Sequence, residues 1–194
     1  MSSSGPIEMG GLAARRIEFD DHAALQEQFH SSMWSDGLPV VPPTPTAVAT
    51  SLDWALLDAE HLIGVEPVRG RAVTAEKVAI NSVMAGCLPM HFPVVVTAVT
   101  AMLAEPFLLH GATASTGGCG VLVIVNGPIR NEVGMNATFN AVGPSDRAST
   151  CIGRAVRLVL GNLLEIRPGE ADRSTLGHPG KISFCIAEDE ENTP

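Results

Sequence analysis

Apolar positions along this chain recur with two periods, and the helical period dominates its first half. From His22 to Met33, the residues Ala24, Leu25, Phe29 and Met33 fall near one face, with Asp20 or Asp21 in front as an N-cap. A second helix is predicted from Pro45 to about Leu57, opened by Thr44 or Thr46. Ala75 to Cys87 carries the strongest pattern of this half, with Val78, Ile80, Val83, Met84 and Cys87 apolar. Lys77 and Asn81 stand at i and i+4 there, so they share a face. Pro93 to Ala104 has proline in its first turn and almost no polar side, which predicts a place in the core or an interface. The longest helix, about Asp146 to Leu164, packs Ile152, Ala155, Val156, Val159, Leu160 and Leu163.

Extended segments fall between and after these helices. Trp34 to Thr44 holds Pro39, Pro42 and Pro43, which forbid helix, after a turn at Asp36-Gly37. Leu62 to Pro67 predicts a short strand, followed by a basic loop at Arg69-Gly-Arg71. His110 to Thr116 alternates small and polar residues, Gly117 to Gly120 makes a tight loop, and Val121 to Val125 predicts a fully buried strand. Residues 129–143 look irregular, anchored by Met135 and Phe139. A last buried strand is predicted over Ile182 to Ala187. The expectation is an α/β (or α+β) fold: one compact domain over 18–188, with a small buried sheet against several apolar helices. Residues 1–17 are expected to be loosely attached and 189–194 to form a solvated acidic tail.

Composition narrows the partners. At 194 residues the chain can bury a substantial core without staples. Hydrophobic residues make up 45% and charged ones only 17%, which points to a surface covered by another copy or another subunit. A net charge of −9 argues against nucleic acid or an anionic membrane as the main partner. No window reaches the ~18–20 apolar residues of a membrane span. Met1 to Gly11 has no hydrophobic run, so a cytoplasmic location with reduced thiols is expected.

Candidate chemistry lies in the loops. The segment Asp172 to Lys181 gathers Arg173, Ser174, Thr175, His178 and Lys181 beside Gly177, Pro179 and Gly180. Asp172, Ser174 and His178 are too close in sequence for a catalytic triad, and no G-x-S-x-G elbow is present. Cys119, flanked by glycine, is the candidate nucleophile, because neighbouring backbone N–H groups could hold a thiolate. Cys151 and Cys185 lie in apolar periodic runs and read as core, and Cys87 ends a helix, where the dipole disfavours a thiolate. Arg147 and Arg154 at the start of the long helix, with Arg173 and Lys181, suggest a site for a small anion. Ser145 is the alternative, a simple cap. Lys77, Asn81 and Asp36 are candidates to orient a substrate or move protons. His91, His110, His178 and Asp36 supply metal-ligand types without a diagnostic spacing. The glycine-rich loop fits neither the dinucleotide nor the phosphate-loop motif, so no cofactor is named.

Four blocks, Trp34-Ser-Asp-Gly-Leu-Pro-Val-Val-Pro-Pro-Thr44, Glu76 to Cys87, Val123 to Ile129 and His178 to Glu188, resemble a bacterial family of (seleno)proteins named for a U-G-S-C motif. The resemblance covers about residues 18 to 192. It implies one part of a two-part system whose other part carries the redox-active U-G-S-C or C-G-S-C segment. Gly117-Gly-Cys-Gly120 does not match that segment. The resemblance therefore implies a small thiol- or selenol-bearing partner subunit, with this chain supplying the substrate pocket. The expected function is a subunit of a hetero-oligomeric enzyme doing thiol-linked redox or lyase chemistry on a small anionic metabolite. Two alternatives stand beside it: a non-catalytic scaffold subunit, and a metal-dependent hydrolase or lyase using His110, His178 and Asp36.

Overall fold

In the computed structural model, which describes residues 11–144 and 146–192, the capped helices fall close to where the sequence places them. Helix α1 spans His22–Ser31, and the Asp21 carboxylate accepts from Ala24 N at 2.8 Å. It ends before Met33, which takes a left-handed backbone (φ 55°) and stands 55% exposed, so Met33 does not join the apolar face. Phe29 is buried instead between Phe19 and Trp34, with ring centroids 6.3 and 5.5 Å away. Helix α2, Pro45–Ala55, is capped by Thr44 and stops at a left-handed Leu56.

Strand β1, Leu62–Glu66, pairs antiparallel with β2, Arg71–Thr74, so the predicted basic loop is the turn of a hairpin. The Glu66 carboxylate is buried because it accepts from Val68 N at 3.2 Å and Arg69 N at 2.7 Å within that turn. Helix α3, Ala75–Ala85, ends on Gly86 at φ 93°, a conformation that suits glycine. Helix α4, Phe92–Leu103, buries Val94, Val95, Val99 and Met102. Its polar side is narrow, as expected from the sequence, and rests on two threonines. Thr97 and Thr100 face solvent, and their hydroxyls donate to Pro93 O (2.9 Å) and Val96 O (2.8 Å). The alternating stretch after it is a short helix, α5, Leu109–Thr113.

Strand β3, Val123–Val125, runs parallel to β4, Cys185–Ala187, in the register Val123↔Cys185 and Val125↔Ala187. Neither predicted strand is buried throughout. A two-stranded sheet covers one face only, leaving Ile124 53% and Leu122 40% exposed, while Ile182 stands 51% exposed ahead of β4. Helix α6, Ile129–Glu132, follows. Met135 anchors the loop beyond it, but Phe139 is 96% exposed and anchors nothing.

Helix α7, Arg147–Asn162, is capped by Asp146, and Ser145 lies outside the described residues. Helices α3 and α7 form the centre of the core, where Val78, Ala79, Ile152, Ala155 and Val159 are all 0% exposed. Each such aliphatic chain larger than alanine contributes about 1.5–3 kcal/mol of burial. The acidic tail is solvated but pinned. Buried Arg130 of α6 pairs with Asp189, Glu190 and Glu191. Residues 1–10 of the N-terminal segment lie outside the described residues, whereas Ala14 N donates to Glu76 Oε1 at 2.9 Å. The architecture is a mixed one of helices and small sheets. Among the described residues no single helix is long and apolar enough to cross a membrane.

Candidate functional site

Residues 172–181 and 115–120, far apart in sequence, are tied side by side. Arg173 N donates to Ser115 O at 3.0 Å and Thr175 N to Thr116 O at 3.2 Å. Ser174 Oγ lies 2.7 Å from Gly117 O. Glycine makes the approach possible: a Cβ on Gly120 would lie 3.0 Å from Cε1 and Nε2 of His178. From the other side, a Cβ on Gly153 of α7 would meet Ser183 Oγ at 2.5 Å and Phe184 N at 2.7 Å. These contacts close a narrow depression of about 20 Å³, lined among others by Cys119, Gly120, Arg157, Asp172 and Lys181. A space of this size accepts one small polar group and leaves the rest of a molecule outside.

The inner wall is a hydrogen-bonded trio. Lys181 Nζ donates to Asp172 Oδ2 (2.8 Å), Asp172 Oδ1 (3.0 Å) and Ser174 Oγ (2.6 Å). Ser174 Oγ is also 2.7 Å from Asp172 Oδ1 and from Gly117 O, and its single proton can serve only one of them. Burial alone would raise the Asp172 carboxyl; bonds from Lys181 and Ser174 outweigh it and hold it below the ordinary carboxylate value. The partner of Ser174 and Asp172 is thus Lys181, not His178, and the Lys181 charge is already matched by Asp172. His178 is exposed beside Gly120, its ring edge-on to Phe184 with centroids 6.5 Å apart.

Arg157, absent from the sequence candidates, is the cation that remains uncompensated in this depression. It is half-buried, donates from Nη1 to Ile166 O at 3.2 Å, and forms no ion pair among the described residues. Burial pushes its guanidinium down from its ordinary value, with only partial help from Asp172 and Asp36. The signal was available: Arg157 shares a helix face with Gly153, Val156 and Leu160, an arginine in an otherwise apolar or small stripe.

The other predicted anion holders are engaged elsewhere. Arg154 Nε and Nη2 each lie 2.8 Å from Asp36, and Nη2 also donates to Leu38 O (3.2 Å) and Pro39 O (2.9 Å). Asp36 is accordingly not a lone acid. Burial would raise its carboxyl, but Arg154 and the Leu38 N–H bring it below the ordinary value. Arg147 donates twice to Gly86 O (2.9 and 2.7 Å). The α7 N-terminus is occupied by the chain itself, because Asp146 accepts from Ser149 N (2.6 Å), Ser149 Oγ (2.9 Å) and Asn136 N (3.0 Å). Exposed Arg173 donates to Glu170 O at 3.0 Å, and Thr175 is exposed with its backbone in the loop ladder. Lys77 and Asn81 lie at a different opening, a groove of about 930 Å³ that they share with Phe29, Trp34 and Asn162.

Of the cysteines read as core, Cys185 is buried but Cys151 only half-buried, and at Cys87 burial is the main cause that raises the thiol. Cys119 is exposed, whereas burial pushes the Cys87 and Cys185 thiols up to about 12. Cys151 is also raised by burial, with Arg147 opposing. His91 is buried and its ring is pushed toward the neutral form by burial and by Arg147. Among the described residues no group of three or more His, Cys, Asp or Glu side chains could hold a metal ion, so His110, His178 and Asp36 do not come together. Comparison of the chain with protein-family models, with curated proteins and with solved structures finds no match.

Proposed function

We propose that this chain is the substrate-binding, catalytic part of a bacterial cytoplasmic enzyme that acts on a small anionic metabolite by thiol-linked chemistry. The observation that carries the reading is the convergence of Cys119 and an uncompensated Arg157 on one depression, with His178 against the adjacent glycine. Arg157 holds the carboxylate of the substrate by charge-assisted hydrogen bonds. His178 takes the Cys119 thiol proton, which leaves a thiolate facing the held substrate. Lys181, Asp172 and Ser174 position the loop that carries His178. The likeness to the U-G-S-C family supports a second subunit bearing a thiol or selenol, and the assembly is proposed on that ground.

A pair of alkylating reagents tests the site without knowledge of the substrate. Iodoacetate carries a carboxylate and iodoacetamide does not. In the folded chain, Cys119 should favour iodoacetate by roughly fivefold relative to a peptide containing residues 115–123, the size of about 1 kcal/mol of charge pairing. Arg157→Met should abolish that preference while leaving iodoacetamide reactivity in place. Equal ratios in folded chain and peptide sink the reading. A non-catalytic scaffold is the second reading, favoured by the exposed Ile124 (53%) and Leu176 (96%), and it predicts equal ratios.

A further inference from the structure

We propose that Asp172, through its pair with Lys181, sets the charge of the ligand, so that the depression takes a singly charged head group and rejects a doubly charged one such as sulfate or phosphate. This rests on the reading that the depression holds the anion of the substrate. It narrows that substrate to a compound whose held group is a monoanion, and it makes Asp172 a specificity-determining residue as well as a tie for its loop.

Charge and donor supply both lead there. The charged side chains that line the depression are Arg157, Lys181 and Asp172, two cations against one carboxylate, which leaves a surplus of one positive charge. Asp36 also acts on Arg157 from a distance, but it has its own counter-charge in Arg154. The side chain of Asp172 is 4% exposed and that of Lys181 17%, so water screens this pair little. A monoanion beside Arg157 closes the balance. A dianion leaves one negative charge unmatched next to a buried carboxylate, in a space too small to hydrate it. The donors tell the same way. Lys181 has three N–H groups, and its bonds go to Asp172 Oδ2 (2.8 Å), Asp172 Oδ1 (3.0 Å) and Ser174 Oγ (2.6 Å), so Asp172 withholds it from a ligand. The Thr113 hydroxyl is spent on Leu109 O at 2.6 Å. Val121, Val156, Leu160 and Ile166 supply apolar side chains to the wall. Arg157 gives one N–H to Ile166 O, and the free edge of its fork suits the two oxygens of a carboxylate. A second negative charge finds no charged donor left for it.

The experiment labels Cys119 of the full chain with uncharged iodoacetamide while acetate, methanesulfonate or sulfate competes, at neutral pH and constant ionic strength. Methanesulfonate has the tetrahedral shape of sulfate with one charge instead of two, so that comparison isolates charge. Acetate and methanesulfonate should each slow the labelling at concentrations at least about fivefold lower than sulfate. Asp172→Asn keeps the size and shape of the side chain, removes its charge and releases the charge of Lys181. Sulfate should then protect at a concentration at least about fivefold lower than in the wild type, whereas a merely structural role for Asp172 leaves the order of the anions unchanged. Arg157→Met should abolish protection by all three. Sulfate as effective as methanesulfonate on the wild-type chain would overturn the proposal and leave the anion site standing, and this comparison holds whether or not the variant folds. An unchanged response to sulfate in folded Asp172→Asn would do the same. Protection by none of the three anions would overturn the anion site together with the proposal.

Discussion

Replacing Arg154 separates a structural role from a ligand-binding one. The side chain of Arg154 is 11% exposed and that of Asp36 is 6% exposed, so the pair is screened little by solvent. Arg154→Ala leaves a buried carboxylate with no counter-charge, and two carbonyls, Leu38 and Pro39, lose a donor. Removal of one partner from such a pair costs about 3–5 kcal/mol, out of roughly 5–15 kcal/mol for a whole domain. At a urea slope of about 2 kcal/mol per molar, the unfolding midpoint should fall by roughly 2 M. The double replacement Asp36→Leu, Arg154→Leu removes both charges and should recover part of the loss, leaving a coupling of about 2 kcal/mol in a double-mutant cycle. The pH dependence carries a sign. The Asp36 carboxyl lies below its ordinary value when folded, so its contribution is present above the unfolded value near ~3.9 and is lost as pH falls through the folded one. In Arg154→Ala burial is opposed only by backbone N–H bonds such as that from Leu38, so the carboxyl rises relative to wild type and that slope weakens. The gap between wild type and variant should thus shrink between pH 7 and pH 3. A loss under about 1 kcal/mol, or two single replacements that simply add, would refute the anchor and return Arg154 to the list of anion holders.

Other outcomes follow from the same geometry. With the folded chain, iodoacetamide and peptide mapping should modify Cys119 first, Cys151 more slowly, and Cys87 and Cys185 last, because burial holds their thiols at about 12. Labelling of Cys87 at the rate of Cys119 would show that the α3 end is open. Gly153→Ala places a methyl 2.5 Å from Ser183 Oγ and 2.7 Å from Phe184 N, so it should lower stability by about 1–3 kcal/mol in thermal or urea unfolding despite alanine's better helix propensity. A stabilised variant would mean that the β4 loop yields freely.

Local signals carried the helices well and the partnerships poorly. Asp21, Thr44 and Gly86 mark ends that depend on a few adjacent residues, and the structure places caps on each. Strand burial depends on how many neighbours a strand acquires, which composition does not encode. Val121 to Val125 reads as buried but acquires one neighbour, β4, so Ile124 faces outward. Cys119, Ser174, His178 and Lys181 were legible as polar residues on glycine-shaped loops; Lys181 bonds to Ser174 and shares the depression with Cys119, while His178 stands exposed against Gly120. Asp36 and Arg154 stand 118 residues apart, and nothing in either neighbourhood announces that each is the other's counter-ion. Phe139 was misread for the converse reason, since an aromatic ring anchors a loop only where a surface awaits it.

The contrast between Arg154 and Arg157 is where the candidate site is decided. The two lie within one turn of α7, and both are drawn from water by the same helix packing. Arg154 meets a carboxylate and two carbonyls carried by the proline-stiffened segment 36–39, so its charge is spent in holding that segment. Arg157 has a single carbonyl contact and only distant acids, so the cost of desolvating it is not recovered within the described chain. Burial of an unmatched guanidinium disfavours folding unless something binding at that place returns the energy. The anion of the proposed function would do so at the position where Cys119 opens to solvent, so the proposal ties substrate binding to local stability through one interaction. Added carboxylate should therefore raise the melting temperature of the wild-type chain and leave that of Arg157→Met unmoved.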